Sequence, residues 1–259
     1  MNPWYSLEEK TIWVTGGAGY LGTPISEALD GLCGKLVCID LEGRAEALVR
    51  DHKLARTIPV SLNVSNLDKL PGFIDEMIAA HGVPDGLVHM AFASTRGKRL
   101  NAISAEDFRG SIDQSLTSAY ILCRTLGERM KARGRGSVVL FSSMYGVVSP
   151  DPRIYVDPNV PNPIDYGVAK AGVLQMTRYF AVHYGPSGVR FNAVTPGPFP
   201  NVPGNKYDTD FMRTLSAKVP MGRVGRSSEM VGPVLFLLGD GASYVTGQSL
   251  VVDGGWTVW

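Results

Sequence analysis

The hydrophobic and polar positions of the chain follow two alternating patterns from residue 11 to residue 252. Short apolar runs, typical of buried strands, are separated by longer segments with the three- and four-residue spacing of amphipathic helices. The apolar runs are Thr11–Thr15, Lys35–Asp40, Thr57–Leu62, Asp85–Ala91, Gly136–Phe141, Val189–Val194 and Ser249–Val252. The helical segments are one that runs through Leu29, then 43–56, Leu67–His81, Glu106–Arg133, Asp165–Tyr184 and Ser228–Leu238. With no linker between them, these elements predict a single α/β domain over 1–259, with helices on both faces of a parallel sheet of about seven strands.

Glycines follow the first predicted strand at the spacing G-x-G-x-x-G, formed by Gly17, Gly19 and Gly22. The strand before them and the helix after them make this match specific. In such a turn the glycines permit a sharp bend and let backbone N–H groups approach a pyrophosphate, while the helix N-terminus favours an anion. The pattern therefore predicts a Rossmann-type, doubly wound sheet. Its first turn would bind a dinucleotide through Gly16, Gly19, Tyr20, Leu21 and Gly22.

Asp40 closes the second predicted strand, where a carboxylate can accept hydrogen bonds from the hydroxyls of an adenosine ribose. The same carboxylate would repel a 2′-phosphate, so we predict NAD rather than NADP as the cofactor. Ligands bind at the carboxyl ends of the strands in such sheets. Asn63 and Val64 follow the third strand and Ala91 ends the fourth, so they are further candidates for cofactor contact. Asn63 is equally well explained as a turn residue.

The composition is typical of a globular enzyme. The 259 residues carry a formal net charge of +1 and are 44% hydrophobic, so the chain lacks the basic surplus of a nucleic-acid binder. No positively charged leader opens it, and no apolar run approaches the ~18 residues of a membrane span. The three cysteines show no C-x-x-C spacing, which indicates free thiols in a reducing compartment, and we expect a cytoplasmic protein. The four histidines are scattered, so we predict no metal site.

Tyr166 and Lys170 lie four residues apart on one face of a predicted helix, for which Asp165 is the expected N-cap. A free phenol has a pKa of about 10, and we expect the Lys170 ammonium to lower the pKa of Tyr166 in a partly shielded site. Tyr166 would then exchange a proton with a substrate oxygen while a nicotinamide exchanges a hydride. Ser143, after the fifth strand, is the candidate for a second hydrogen bond to that oxygen.

Taken together, these motifs resemble the short-chain dehydrogenase/reductase family over nearly the whole chain. The glycine turn, 85–92, Ser143 with Gly146, Tyr166 with Lys170, and the segments 192–197 and 246–255 fall in the family's order. The resemblance implies that serine, tyrosine and lysine are catalytic and that NAD lies across the strand ends. It further implies that Phe199, next to Pro196 and Gly197, offers contacts to the cofactor carboxamide. A homo-oligomer, usually a tetramer, is also implied.

Three features depart from the pattern of the family's short single-domain members. Tyr20 stands where they usually have a glycine, and TGGAGYLG is similar to the turn of the longer sugar-nucleotide epimerases and dehydratases. His89, Met90, Ala91 and Phe92 replace the usual N-N-A-G. Ser115 aligns with an asparagine that normally supports a water relay to the lysine, and Ser115 is our candidate to hold that water.

Residues 149–163 contain five prolines, which predicts an irregular, stiff segment without a helix. This insertion separates Ser143 from Tyr166 by more residues than the family usually has, so it should emerge beside the substrate. We expect Arg153 and Tyr155 to select a hydroxyl-rich small molecule such as a sugar, although a surface decoration also explains the segment. Its sequence is similar to family members associated with bacterial surface-glycan or flagellin-sugar synthesis. The segment 197–216 is predicted to be a mobile substrate loop.

The function predicted from the sequence is an NAD-dependent oxidoreductase acting on a secondary alcohol or ketone, within carbohydrate metabolism. Two alternatives remain open. The glycine turn suggests an NAD-dependent sugar epimerase or dehydratase, and Ser115 with the altered N-N-A-G suggests a non-catalytic NAD-binding protein.

Overall fold

The computed structural model describes residues 6–155, 159–201 and 209–259. Seven parallel strands form one sheet in the order β3-β2-β1-β4-β5-β6-β7. The strands are β1 Leu7–Thr15, β2 Cys33–Asp40, β3 Thr57–Ser61, β4 Gly86–His89, β5 Gly136–Phe141, β6 Val189–Pro196 and β7 Ser249–Val252. The predicted Rossmann-type doubly wound fold in a single domain is confirmed.

Helices cover both faces of the sheet. They are α1 Gly22–Leu32, α2 Arg44–His52, α3 Leu70–His81, α4 Ala105–Ile112, α5 Ser118–Arg133, α6 Ile164–Tyr184, α7 Thr209–Ala217 and α8 Val231–Leu238. Successive residues of the central strands point to opposite faces. Trp13 and Leu87 pack against α3, α5 and α6, whereas Ile12 and Val88 pack against α1 and α8. Burial on both faces explains why the strands read as continuous apolar runs.

The strand order reverses at β1, which lies between β2 and β4. The chain builds β1, β2 and β3 towards one edge and then crosses back to β4, so the loops after β1 and β4 leave in opposite directions. Ligands of open α/β sheets bind in the crevice that such a reversal creates at the carboxyl ends of the strands. Thr15 and His89 are paired at this point of the sheet.

Two predicted elements differ in the structure. The expected helix Glu106–Arg133 is interrupted by a π-helical turn at Asp113–Thr117, which separates α4 from α5. The insertion 149–163, in which we expected no helix, contains one 3₁₀ turn at Pro152–Ile154. Its first position is proline, which a helix tolerates where no N–H partner is needed.

The segment 197–216, predicted as a loop, ends in helix α7, so the prediction is wrong over its last residues. Phe211 and Leu215 lie four residues apart and are buried, which gives α7 an apolar face. Residues 202–208, part of the same expected loop, lie outside the described residues. Within the part of the chain that the structure describes, no helix combines the length and apolar character needed to cross a bilayer.

Candidate active site

The glycine turn connects β1 to α1 through close backbone approaches. Gly16 has a φ of +74°, and a Cβ on it would lie 2.9 Å from the backbone nitrogen of Ala91. A Cβ on Gly22 would lie 2.3 Å from the carbonyl oxygen of Gly16. Gly19 donates its N–H to that same oxygen at 3.1 Å. Only glycine fits at Gly16 and Gly22, so the backbone stays bare at the start of α1, where a pyrophosphate would bind.

Asp40 lies at the carboxyl end of β2, and its buried carboxylate faces this turn. One carboxylate oxygen accepts the N–H of Ala18 at 2.9 Å and the other accepts the N–H of Leu41 at 2.8 Å. Arg44, one helical turn further on, lies 3.5 Å from Asp40 and donates to the carbonyl of Ala18 at 3.1 Å. The structure therefore brings the predicted ribose-binding carboxylate to the glycine turn, with one exposed cation beside it.

The remaining candidates for cofactor contact lie along the same edge of the sheet. Asn63 accepts the N–H of Ser65 at 3.0 Å, which makes it a turn residue as well as an exposed side chain near the edge. Val64 is buried in the core. Pro196 ends β6. A Cβ on Gly225 would lie 2.2 Å from the ring of Phe199, so the packing of this ring against Gly225 fixes the backbone after β6.

Ser143, Tyr166 and Lys170 meet at the carboxyl end of β5. A Cβ on Gly146 would lie 2.7 Å from the carbonyl carbon of Lys170, so the loop after β5 packs directly on the backbone of α6. Ser143 and Lys170 are buried. The Lys170 ammonium donates to the carbonyl of Phe141 at 2.8 Å, and burial lowers the pKa of Lys170 to about 8.

The expected effect of Lys170 on the pKa of Tyr166 is not what the structure has. Burial raises the pKa of Tyr166, and the opposing influences come from the Ser143 hydroxyl and the charge of Arg96. The Lys170 ammonium lies 5.8 Å from the centre of the Tyr166 ring. That ammonium donates to the Phe141 carbonyl at 2.8 Å. The Ser143 hydroxyl and the charge of Arg96 therefore offset only part of the increase that burial causes in the pKa of Tyr166.

Phe92 covers this pair of residues from the loop after β4. Its ring is 5.5 Å from the Tyr166 ring in an edge-on arrangement, and the Lys170 ammonium lies 4.7 Å from the centre of the Phe92 ring. A cation above an aromatic face is stabilised by the ring quadrupole. Phe92 itself is 51% exposed. The side chain that replaces the usual glycine of the family thus forms one wall of the site.

His89 is a packed residue rather than a second base. Its ring nitrogen Nδ1 forms a hydrogen bond of 2.7 Å with the hydroxyl of Thr15. Burial, together with the nearby charge of Lys170, lowers the pKa of His89 to about 3. The ring therefore stays neutral near pH 7 and ties β4 to β1.

Ser115 lies in the π-helical turn between α4 and α5 and is buried. Its hydroxyl donates to the carbonyl of Ala93 and accepts the N–H of Ala93 at 3.0 Å. The side chain thus fixes the loop after β4. Isolated π-turns frequently occur at functional sites. The sequence did not reveal this one, because one extra residue changes the spacing of polar and apolar positions too little to distinguish two helices from one.

The insertion is attached to α7 and to the loop after β5. Asp151 binds the guanidinium of Arg153 through both carboxylate oxygens and accepts a hydrogen bond of 2.7 Å from Lys218, which follows α7. Tyr155 is hydrogen-bonded to Tyr145, and its ring centre is 5.7 Å from that of Phe211. The two predicted substrate-selecting residues, Arg153 and Tyr155, therefore already have partners within this assembly.

Asp165 was the predicted N-cap of α6, but in the structure the N-cap is Pro163 and Asp165 lies in the first turn of the helix. The fully buried carboxylate accepts hydrogen bonds from the N–H and hydroxyl of Thr95 and from the hydroxyl of Ser111. Burial alone would raise the pKa of Asp165, but these hydrogen bonds outweigh it and hold the pKa below its usual value. Asp165, the residue before Tyr166, is thereby bound to the loop after β4. No local sequence pattern predicts this contact.

Comparison with known proteins agrees with this geometry. Residues 21–257 match a family model described as enoyl-(acyl carrier protein) reductase. A cis-4-hydroxycyclohexanecarboxylate dehydrogenase of Sinomonas cyclohexanicum is 32% identical over 97% of this chain and 98% of its own. An L-rhamnose 1-dehydrogenase (NAD(P)(+)) of Azotobacter vinelandii is 29% identical over 96% of this chain and 97% of its own. A solved structure of a short chain dehydrogenase from Leptospira borgpetersenii with bound NAD+ has a TM-score of 0.87 at 29% identity, covering 99% of this chain and 96% of that one.

The chain belongs to the short-chain dehydrogenase/reductase family. Members of this family are oxidoreductases that act on alcohols and ketones with a nicotinamide cofactor.

Proposed function

We propose that this protein is an NAD-dependent dehydrogenase or reductase that interconverts a secondary alcohol and a ketone on a hydroxyl-rich small molecule. The observation that carries the proposal is the meeting of Ser143, Tyr166 and Lys170 at the same sheet edge as the glycine turn and Asp40. One relative supports the substrate class by name, since it acts on a sugar. Another acts on a secondary alcohol of a ring that carries a carboxylate, which supports the reaction type.

The residues around the glycine turn fit a dinucleotide. Side chains at Gly16 and Gly22 would fill the space at the start of α1, and the Asp40 carboxylate is in place for ribose hydroxyls while disfavouring a 2′-phosphate. Asn63, Ala91, Pro196 and Phe199 lie along the same edge and are proposed contacts. When bound, the nicotinamide supplies or accepts the hydride.

Side chains of the protein would transfer the proton. Ser143 and Tyr166 would both bind the substrate oxygen, and Tyr166 would give or take the proton as the carbonyl forms or disappears. The Lys170 ammonium lies against the rings of Phe92 and Tyr166. Ser115 is proposed to order the loop after β4, since both of its hydrogen-bonding roles are taken by Ala93.

The test is an assay with purified protein, NAD and a panel of sugars, sugar acids, polyols and simple secondary alcohols, followed through NADH absorbance. Tyr166→Phe is the control, because it removes one hydroxyl while cofactor binding should persist. Turnover of hydroxyl-rich compounds that falls by about 10²-fold or more in the variant supports the proposal. NAD binding without NADH formation on any compound would contradict it. An epimerase, suggested by the glycine turn, would convert a sugar nucleotide with no net NADH.

We further propose a homo-oligomer in a reducing, cytoplasmic environment. Helix α6 presents Tyr179 and Val182, which are 67% and 79% exposed, and α5 adds the exposed ring of Tyr120. Neighbouring apolar side chains on two helices are typical of a surface that another protomer covers. The three cysteines are free and buried, which suits a reducing compartment.

A further inference from the structure

Arg96 lies at the substrate side of the catalytic tyrosine because its neighbour is anchored there. Thr95 donates its N–H at 2.9 Å and also its hydroxyl to Asp165. Asp165 directly precedes Tyr166 on α6. The next residue along the loop, Arg96, therefore begins next to the catalytic helix, and its side chain is exposed. The loop is held from its other side by Ser115 through Ala93.

The charge of Arg96 is uncompensated within the part of the chain that the structure describes. No carboxylate there forms an ion pair with Arg96, whereas Lys98, two residues further on, is bound by Asp107 at 2.7 Å. The positive charge of Arg96 also acts on Tyr166, where it opposes the effect of burial on the pKa of the phenol. Because Thr95 is anchored to the residue before Tyr166, Arg96 extends from a backbone position beside the proposed catalytic hydroxyl.

Next to this loop is an open cavity of about 560 Å³ between the loop after β4 and the proline-rich insertion. Lys98 and Arg99 contribute to one wall, and Tyr145 and Gly167 lie on the side nearest the catalytic residues. Among the described residues that line the cavity, none is acidic. The cavity is large enough for a small organic acid, and no carboxylate among its described lining residues would repel such a ligand.

We propose that Arg96 binds a carboxylate of the substrate and thereby selects hydroxy acids over neutral sugars and polyols. This inference rests on the proposed function and names the substrate class of the same site. A planar guanidinium can bind a carboxylate through two parallel hydrogen bonds, which fixes direction as well as distance. With the carboxylate held at Arg96, one hydroxyl of the acid can reach Ser143 and Tyr166.

The experiment compares matched pairs of compounds that differ only in the acidic group: gluconate with glucitol, and galactonate with galactitol. The kcat/KM values for NAD reduction are measured for the wild type, Arg96→Gln and Arg96→Lys. Arg109→Gln is the control, because it removes the same charge from an exposed position on α4 that does not line the cavity. We expect Arg96→Gln to lower kcat/KM for the acids by about 10- to 100-fold and to leave the polyols within a factor of about three. Arg96→Lys should recover part of the loss, and Arg109→Gln should behave as the wild type.

A second measurement uses binding alone. Titration of gluconate into the protein with NADH should give a weaker affinity in Arg96→Gln than in Arg109→Gln, with the affinity for NADH unchanged. Equal effects of Arg96→Gln on acids and polyols, or gluconate binding that is unaffected, would overturn the inference. If the wild type reduces NAD with none of the compounds but binds gluconate through Arg96, the proposed dehydrogenase function fails while the carboxylate site stands. Turnover of polyols only would leave the function and refute the site.

Discussion

Thr95 donates two hydrogen bonds, from its backbone and from its hydroxyl, to the carboxylate of Asp165. This contact joins the loop after β4 to the residue next to Tyr166, and Ser111 adds a third donor from α4. Three elements thus share one fully buried carboxylate, which fixes the start of α6 against α4 and the loop after β4.

Asp165→Asn is therefore expected to lower the free energy of unfolding by about 1.5 to 3 kcal/mol, because the amide cannot replace a carboxylate that accepts three hydrogen bonds. The pKa of Asp165 is held below its usual value, so this stabilisation is present at neutral pH and is lost as the pH falls through the folded-state pKa. Urea unfolding at pH 7 and at acid pH should show the two proteins converging in acid. Asp68→Asn, at an exposed position, should have no effect. A variant as stable as the wild type at pH 7 would contradict the role of this carboxylate.

Ser143→Ala should change the pH dependence as well as the rate. The hydroxyl of Ser143 favours the ionised form of Tyr166, so its removal raises the pKa of the phenol. Alcohol oxidation needs the phenolate, and the pH at which kcat/KM reaches half its maximum should therefore move upwards. We expect a loss of about 10²-fold in the maximum from the missing hydrogen bond to the substrate oxygen. Ser243→Ala, at an exposed position after α8, is the control. A profile that falls in height without moving would show that Ser143 does not influence the phenol.

Asp40 is expected to decide between the two nicotinamide dinucleotides. Asp40→Ala removes the carboxylate that would bind ribose hydroxyls and repel a 2′-phosphate, and it leaves the cation of Arg44 at the same place. The ratio of kcat/KM for NAD to that for NADP should fall by about tenfold or more. Glu42→Gln removes an exposed carboxylate two residues away and should leave the ratio unchanged. Steady-state rates with both cofactors check this, and an unchanged ratio in Asp40→Ala would argue against the carboxylate as the selective group.

Asp151 is expected to control substrate affinity through α7. It is bound by Arg153 in the insertion and by Lys218 after α7, so Asp151→Asn weakens the link between the two segments. We expect KM to rise about threefold or more with little change in kcat, since no catalytic group is touched. Asp75→Asn is the control. It also breaks an ion pair with an arginine, but that pair, between Asp75 and Arg129, joins α3 to α5. If both variants have the same KM, the insertion does not depend on this contact.

The exposed apolar face of α6 is expected to be covered in the assembled protein. Tyr179→Glu combined with Val182→Glu should lower the molar mass measured by light scattering, because two buried charges would be costly at an interface. Tyr244→Glu, at a fully exposed aromatic position outside α6, is the control. An unchanged mass in the double variant would place the interface elsewhere.

The sheet could be predicted from the sequence because its strands are buried on both faces. Trp13 and Leu87 face one core while Ile12 and Val88 face the other, and continuous apolar runs are the direct consequence. Ser143 and Lys170 could be located for a similar reason: each stands at a fixed distance from a strand end or a helical neighbour. The predicted roles of these residues remain proposals.

The rest of the site depends on contacts between distant segments. Asp165 was expected to cap α6, but its partners Thr95 and Ser111 come from 70 and 54 residues earlier in the chain. Arg96 belongs to no spacing pattern at all, and its importance follows only from the folding of its loop against α6. Helix α7 was missed because its apolar pair, Phe211 and Leu215, is too short a signal beside a segment rich in glycine and proline.

The π-helical turn at Asp113–Thr117 also affects which changes in length the chain can accept. Such a turn contains one residue more than a regular helical turn, so deletion of a residue within it would restore a continuous α-helix. The deletion would also rotate α4 relative to α5 by about 100°, which would carry Ser111 away from Asp165 and Ser115 away from Ala93. Natural relatives that keep this site should therefore vary in the identity of the residues along 113–117 other than Ser115 far more readily than in the number of residues there.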